Sequence, residues 1–413
     1  MKNIRLYRFL LLIFVVAVLF LPSCDNKNDE PQPVNFEHFL FNESKFSITR
    51  QEAISKLTTF QIIFPETSMF ELVVKHDVDI QKITYKTTFK DGDIQASGLV
   101  CLPKTAGDYP VLCFQNGTNT LHSEAPSADP KNDLFSILES VASMGFIVVI
   151  PDYIGFGASS QLTHPYLHAE STTQSILDML RAVKEFGGQE KIVAKPTKDL
   201  FIFGYSQGGW ATMQLQYAIE KNYSTEFNLI ASSCAAGPYS LEYMNKFITE
   251  KVDYPMPYFL TYLLNSYISI GLITNPLSDF IQAPYAAKVP GLFDGKHSGG
   301  TINSELTTQM SSLLTSDYRT GFATNAKFAG IRSAFAANSV EAWKITTPTR
   351  LYHGQNDEFI PPSLSHKMLA DFKTKGVTDE QIKLVIVPGV DHPLGVIPVG
   401  LQTVLWFLEF KKL

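Results

Sequence analysis

Leu200-Phe201-Ile202-Phe203-Gly204-Tyr205-Ser206-Gln207-Gly208-Gly209 reads as a short apolar strand that enters a tight turn. Trp210-Ala211-Thr212-Met213 then opens an amphipathic helix. A four-residue apolar run between turn signals suits a buried strand. The glycines at 204, 208 and 209 allow strand and helix to approach where a Cβ would collide. Such a turn lifts the Ser206 hydroxyl above the strand ends. It also leaves backbone N–H groups free at the helix start, where negative charge is favoured.

The pattern continues on both sides. Ile83, Tyr85, Thr87 and Phe89 alternate with polar residues, Asp91-Gly92 marks a turn, and Ile94, Ala96, Gly98 and Val100 alternate again. This is a β-hairpin signal. Beyond it the strands become continuously apolar: 111–114, 146–150, the run before Ser206, 229–235, 349–352 and 384–387. Helical periodicity separates them at 134–144 and 171–186, and Pro398 is expected in the first turn of a last helix through Phe410. Thr49 and Glu52 form a capping-box signal for a short helix over 50–57. Antiparallel strands followed by alternating buried strands and helices predict an α/β fold, a mostly parallel central sheet with helices on both faces. Residues 36–238 and 344–413 form its two parts. Between them, 239–343 lacks strand alternation and is read as a helical cap insertion after the sixth core strand. Its aromatic and apolar residues, notably 254–272, either pack the insertion itself or line an acyl pocket; composition does not separate the two.

The chain has 413 residues, 45% of them hydrophobic and 18% charged, which is ordinary globular material. A net charge of −6 argues against nucleic acid, which calls for a clustered basic face. Four cysteines in so long a chain do not make a disulfide scaffold. Lys2, Arg5 and Arg8 precede an apolar stretch from Phe9 to Leu21, too short for a comfortable membrane span. It ends in Leu21-Pro22-Ser23-Cys24, which resembles a bacterial lipobox; a plain signal peptide or signal anchor is the other reading. The resemblance implies removal of 1–23, lipidation of Cys24 and attachment to a membrane of the bacterial cell envelope. Residues 24–35 read as a flexible tether, and their acidic start resembles the stretch after the cysteine in surface lipoproteins of the Bacteroidetes type.

A serine hydroxyl needs a base, a carboxylate to orient that base, and donors for an oxyanion. Both partners should follow strands later in the chain. Asp357 lies just past the 349–352 strand, with Glu358 and Asp391 as weaker alternatives and helix capping as its structural role. His392 follows the last strand. His353 is expected to be structural, and His122, near the donor loop, either to contact substrate or, as the favoured reading, to lie at the surface. His164 and His168 have helical ligand spacing, but Pro165 disfavours a helix there, so no zinc pair and no metal are expected. The oxyanion donors are expected to be the N–H of Gln207 and, from the loop after the 111–114 strand, that of Thr118.

Gly-Tyr-Ser-Gln-Gly-Gly at 204–209, Asp-Tyr-Ile-Gly-Phe-Gly at 152–157, His-Gly-Gln-Asn-Asp at 353–357 and Asp-His-Pro at 391–393 together resemble the α/β-hydrolase superfamily. Within it they are similar to secretory lipases and esterases of the fungal type and their bacterial lipoprotein relatives. The resemblance covers about 80–240 and 345–413, with the cap matched only in position and character. It departs in the donor loop, where Asn116-Gly117 stands for the family's frequent His-Gly. The resemblance implies hydrolysis of small-molecule carboxylic esters or lipids through an acyl-enzyme, with Ser206, His392 and Asp357 as triad and no cofactor. A serine peptidase of the same fold and a non-catalytic ligand-binding lipoprotein are the rival readings.

Overall fold

The computed structural model describes residues 36–411. The expected signal segment, Cys24 and the tether lie outside the described residues. The first element is one the sequence did not announce: an edge strand, β1 (Phe39–Ile48), paired antiparallel with β2 (Val78–Phe89). Two register shifts, between Phe39 and Phe41 and between Ser44 and Phe46, break its alternation and hide it from a period-two reading. Between the two strands, the Arg50–Thr58 helix carries the expected capping box: Glu52 N–H donates to Thr49 Oγ1 at 3.2 Å and Thr49 N–H to Glu52 Oε2 at 2.7 Å.

β2 pairs with β3 (Gly92–Pro103) as the expected hairpin, but Phe89 is paired with Gly92, so the turn is Lys90-Asp91. Gly92 is the first strand residue, and Lys90 takes the left-handed conformation at φ 54°. β4 (Gly107–Gln115), β5 (Ile147–Pro151), β6 (Ala194–Tyr205), β7 (Asn228–Ala235), β8 (Thr349–Gly354) and β9 (Ile382–Val387) complete a nine-stranded sheet in the order β1-β2-β3-β5-β4-β6-β7-β8-β9. Pairing is antiparallel from β1 to β5 and parallel from β5 to β9.

Alternate side chains of a strand point to opposite faces. Phe201, Phe203 and Tyr205 of β6 join a core cluster with Val399 and Val404 of the last helix and Phe135 and Leu138 of the Asp133–Ala142 helix. Leu200 and Ile202, equally buried, are absent from that cluster and face the other layer. Both faces are therefore covered, which is why these strands read as unbroken apolar runs. Each such side chain contributes about 1.5–3 kcal/mol of burial.

The last helix spans His392–Phe410 and does not begin at Pro398. Asp391 caps it, accepting from Leu394 N–H at 2.9 Å, and Pro393 takes the first-turn position. Two prolines fit the helix-start rule; the earlier one has the cap beside it, and Pro398 lies inside the helix.

Between β7 and β8 the described residues form helices and no sheet strand, including Leu241–Glu250, Tyr258–Ser269 and Ala329–Asn338. This insertion follows the seventh strand, because β1 precedes those counted from sequence. Trp210 Nε1–H donates to Asn338 O at 2.9 Å and joins it to the helix after Ser206. At its return, Glu220 accepts from Trp343 Nε1 at 2.8 Å and from the N–H groups of Thr346 and Thr347 at 3.2 and 3.0 Å.

Candidate active site

Ser206 sits between β6 and the Gln207–Ala218 helix with φ 60° and ψ −123°, a conformation L-residues rarely adopt. Packing holds it there. A Cβ at Gly208 would come within 1.8 Å of Gln115 O at the end of β4, and one at Gly209 within 2.1 Å of Ala235 O at the end of β7. Ser206 N–H donates to that same Ala235 oxygen at 2.9 Å. Neighbouring strand ends thus grip the turn on two sides.

The residues selected for base and acid come together with the serine. His392 Nε2 lies 2.9 Å from Ser206 Oγ, and His392 Nδ1 lies 2.6 Å from Asp357 Oδ2. All three are buried. Asp357 occupies the loop after β8 and His392 the first turn of the last helix, both at the C-terminal rim of the sheet. Tyr205 O–H donates to His392 O at 2.8 Å, and the Phe359 ring packs on the imidazole with centroids 5.3 Å apart. Asp357 Oδ1 accepts from the N–H groups of Phe359 and Ile360, each at 2.9 Å. Burial pushes the Asp357 carboxyl up, but bonds from His353 and His392 and their charge outweigh it and hold it at about 2. It is an anion at any neutral pH, as an imidazole-orienting group must be. Glu358 is exposed, and Asp391 is engaged as the helix cap.

His353 does more than hold its loop. Nδ1 is 2.7 Å from Ser365 Oγ, while Nε2 is 2.8 Å from Ile360 O and 3.2 Å from Asp357 Oδ2. It is a second partner of the acid, and no sequence signal marked it as one.

On the donor side, neither Gln207 N–H nor Thr118 N–H has an acceptor among the described residues. A Cβ on Gly117 would lie 3.8 Å from Ser206 Cβ, so the loop carrying Thr118 passes directly beside the serine. Tyr153 O–H donates to Asn116 O at 3.2 Å, and Thr118 Oγ1 bonds Tyr166 Oη at 2.8 Å. His164 belongs here and not to a metal pair. Its Nδ1 is 2.6 Å from Ile154 O and must donate, so Nε2 accepts from Gln207 Nε2 at 3.0 Å. Burial pushes this imidazole down to about 4, which keeps it neutral. His168 is engaged with Ser171 Oγ at 2.9 Å, and His122 lines a separate groove with Phe156, Phe293 and Gly295.

A narrow cavity of about 40 Å³ opens beside Ser206, lined largely by the insertion. Leu241, Met244 and Ile248 line it from one helix and Leu260 and Leu263 from the next. The aromatic region of the insertion divides between the two roles open at sequence level: Phe259 faces the cavity, whereas Tyr254 and Tyr267 are fully buried and outside its lining. A buried hydroxyl, an imidazole and a carboxylate in one hydrogen-bonded line beside unpaired N–H groups can support acyl transfer.

Solved structures place this architecture among the α/β hydrolases. A Legionella pneumophila protein 24% identical to this chain superposes with a TM-score of 0.80, covering 91% of this chain and 99% of its own. A point mutant of LipA, the rice cell wall degrading esterase from Xanthomonas oryzae, is 26% identical, with a TM-score of 0.78 and the same coverage. Candida antarctica lipase A in its closed state is 16% identical, with a TM-score of 0.63 over 90% of this chain and 81% of its own. No curated protein matches the chain. Residues 122–395 match the secretory lipase family, through the insertion as well as the sheet. The chain belongs to that family and is a carboxylic ester hydrolase acting on small-molecule ester or lipid substrates.

Proposed function

We propose that the chain hydrolyses esters through an acyl-enzyme formed on Ser206. The observation that carries this reading is the unbroken line Ser206 Oγ, His392, Asp357, with contacts of 2.9 and 2.6 Å. His392 Nε2 takes the hydroxyl proton as Oγ attacks the ester carbonyl. Asp357 orients the imidazole and balances its positive charge. The N–H groups of Gln207 and Thr118 receive the oxyanion, which they can do without first breaking another bond. His392 returns the proton to the departing alcohol, then activates a water that releases the acid.

Ser206→Ala removes the nucleophile and is expected to lower kcat on p-nitrophenyl butyrate on the order of 10⁴-fold or more while the fold survives. A fluorophosphonate probe should label the wild type and not the variant. Turnover near the wild-type level in Ser206→Ala would refute the assignment.

We further propose that Cys24 carries a lipid that tethers the enzyme to the bacterial cell envelope. The support is the run Leu21-Pro22-Ser23-Cys24 behind a basic and apolar leader. Incorporation of a palmitate analogue in a bacterial host is expected in wild type and not in Cys24→Ala; label retained by the variant would reject the anchor.

A further inference from the structure

The cavity beside Ser206 is walled by apolar side chains, with two buried amides among them. Asn245 stands between Met244 and Ile248 on a helical stripe that also includes Leu241. Gln207 stands next to the serine. Asn245 is 2% exposed and Gln207 1%. Each has one end of its amide fixed and the other without a partner among the described residues: Asn245 Nδ2 and Gln207 Oε1.

Chemistry fixes both orientations. His164 donates from Nδ1 to Ile154 O, so its Nε2 is an acceptor and the Gln207 atom facing it must be the NH2. Oε1 is left as a bare acceptor. Tyr318 O–H donates to Asn245 Oδ1 at 2.5 Å. Turning that amide over would leave the phenol proton without an acceptor, so Nδ2 is left as a bare donor. Tyr318 lies outside the cavity lining, so this bond draws Oδ1 away from the cavity.

A buried polar atom without a partner is costly, and an apolar residue of similar shape avoids that cost. One unpaired donor and one unpaired acceptor, on two residues that line the same cavity, are together the complement of a hydroxyl. We propose that Asn245 and Gln207 make this cavity a site for a hydroxyl-bearing chain of the ester, with Asn245 Nδ2 donating to the hydroxyl oxygen and Gln207 Oε1 accepting its proton. This rests on the assignment of Ser206 as nucleophile. A substrate hydroxyl reproduces the hydrogen bonds a water would make there, and a methylene does not. Leu241, Met244, Ile248 and Leu263 accommodate the carbons around it.

The hydroxyl can belong to the acid or to the alcohol of the ester, and two series of esters separate these. Ethyl hexanoate is compared with ethyl hydroxyhexanoates in which the hydroxyl moves carbon by carbon. Hexyl acetate is compared with hydroxyhexyl acetates in the same way. In wild type, one series is expected to show a maximum in kcat/KM at a particular carbon, about tenfold over the unsubstituted ester. In Asn245→Leu, the ratio at that carbon should fall by about the same factor.

A flat profile in both series for wild type would overturn the proposal while leaving ester hydrolysis standing, and that measurement does not depend on how the variant folds. A maximum that survives unchanged in Asn245→Leu would also overturn it. Hydrolysis of no ester in either series would remove the catalytic assignment and this inference together.

Discussion

Nε2 of His353 faces two acceptors, Ile360 O and Asp357 Oδ2, so it must carry the ring proton. The imidazole therefore braces its loop and supplies the Asp357 carboxylate with a donor besides His392. His353→Phe is expected to lower kcat by about 10–100-fold, less than the loss expected in Ser206→Ala. The same contact makes a pH prediction. The Asp357 carboxyl ionises near 2 in the folded chain, against an ordinary 3.8. Its anion favours the folded state by on the order of 2 kcal/mol. That contribution is present above the ordinary carboxylate range and is lost as pH falls from about 4 toward 2. Removing the His353 donor raises the folded value, so acid loss should begin at higher pH in His353→Phe. Urea denaturation of both proteins along a pH series measures this; coincident curves would show that His353 contributes nothing to the carboxylate.

At the scale of elements, the Asp133–Ala142 helix carries Glu139 into the interior, fully buried and with both carboxylate oxygens unpartnered among the described residues. Burial pushes its carboxyl up to about 8, against the pull of Lys56 and Lys131. Here the sign is opposite to that of Asp357. The unfolded chain releases this proton at lower pH, so the group costs stability increasingly as pH rises from about 4.5 to 8, on the order of 3 kcal/mol at neutrality. Glu139→Met should raise Tm at pH 7 and flatten the decline across that window; a lower Tm would show that the carboxylate has a stabilising role. The elbow predicts the reverse for a smaller change. Gly208→Ala forces a methyl into Gln115 O and should yield little folded protein, read as loss of soluble expression.

How far the sequence disclosed these elements follows from where each signal resides. Strands covered on both faces were legible because every position in them is apolar. β1 was not, since it is an edge strand whose register slips twice and whose Phe41 is exposed. Ser206, Asp357 and His392 were legible through their chain order and their places after strands. The roles of His353, His164 and Asn245 were not, because they depend on partners such as Ser365, Gln207 and Tyr318 brought near only by folding.

For the molecule as a whole, the described residues from Glu37 onward form one compact unit that includes both sheet and insertion. The Trp210 bond to Asn338 and the Glu220 contacts at the return of the chain cross between them. Denaturation is therefore expected to be a single transition, with tryptophan fluorescence and far-UV circular dichroism sharing one midpoint. Separate midpoints would mean that the insertion melts by itself. Cys101, Cys113 and Cys234 are free and buried, and burial raises all three thiols, Cys234 to about 12. These thiols should not react with Ellman's reagent until the chain unfolds.

β7 and β8 are adjacent parallel strands. A crossover between such neighbours needs only a dozen or so residues, and this chain spends everything from Ala236 to Pro348 on it. The surplus sets no strand order and supplies none of Ser206, Asp357 and His392, yet it provides most of the lining of the cavity beside Ser206. Substitutions within this stretch can therefore retune what fits beside Ser206 without displacing the sheet or the side chains on its rim.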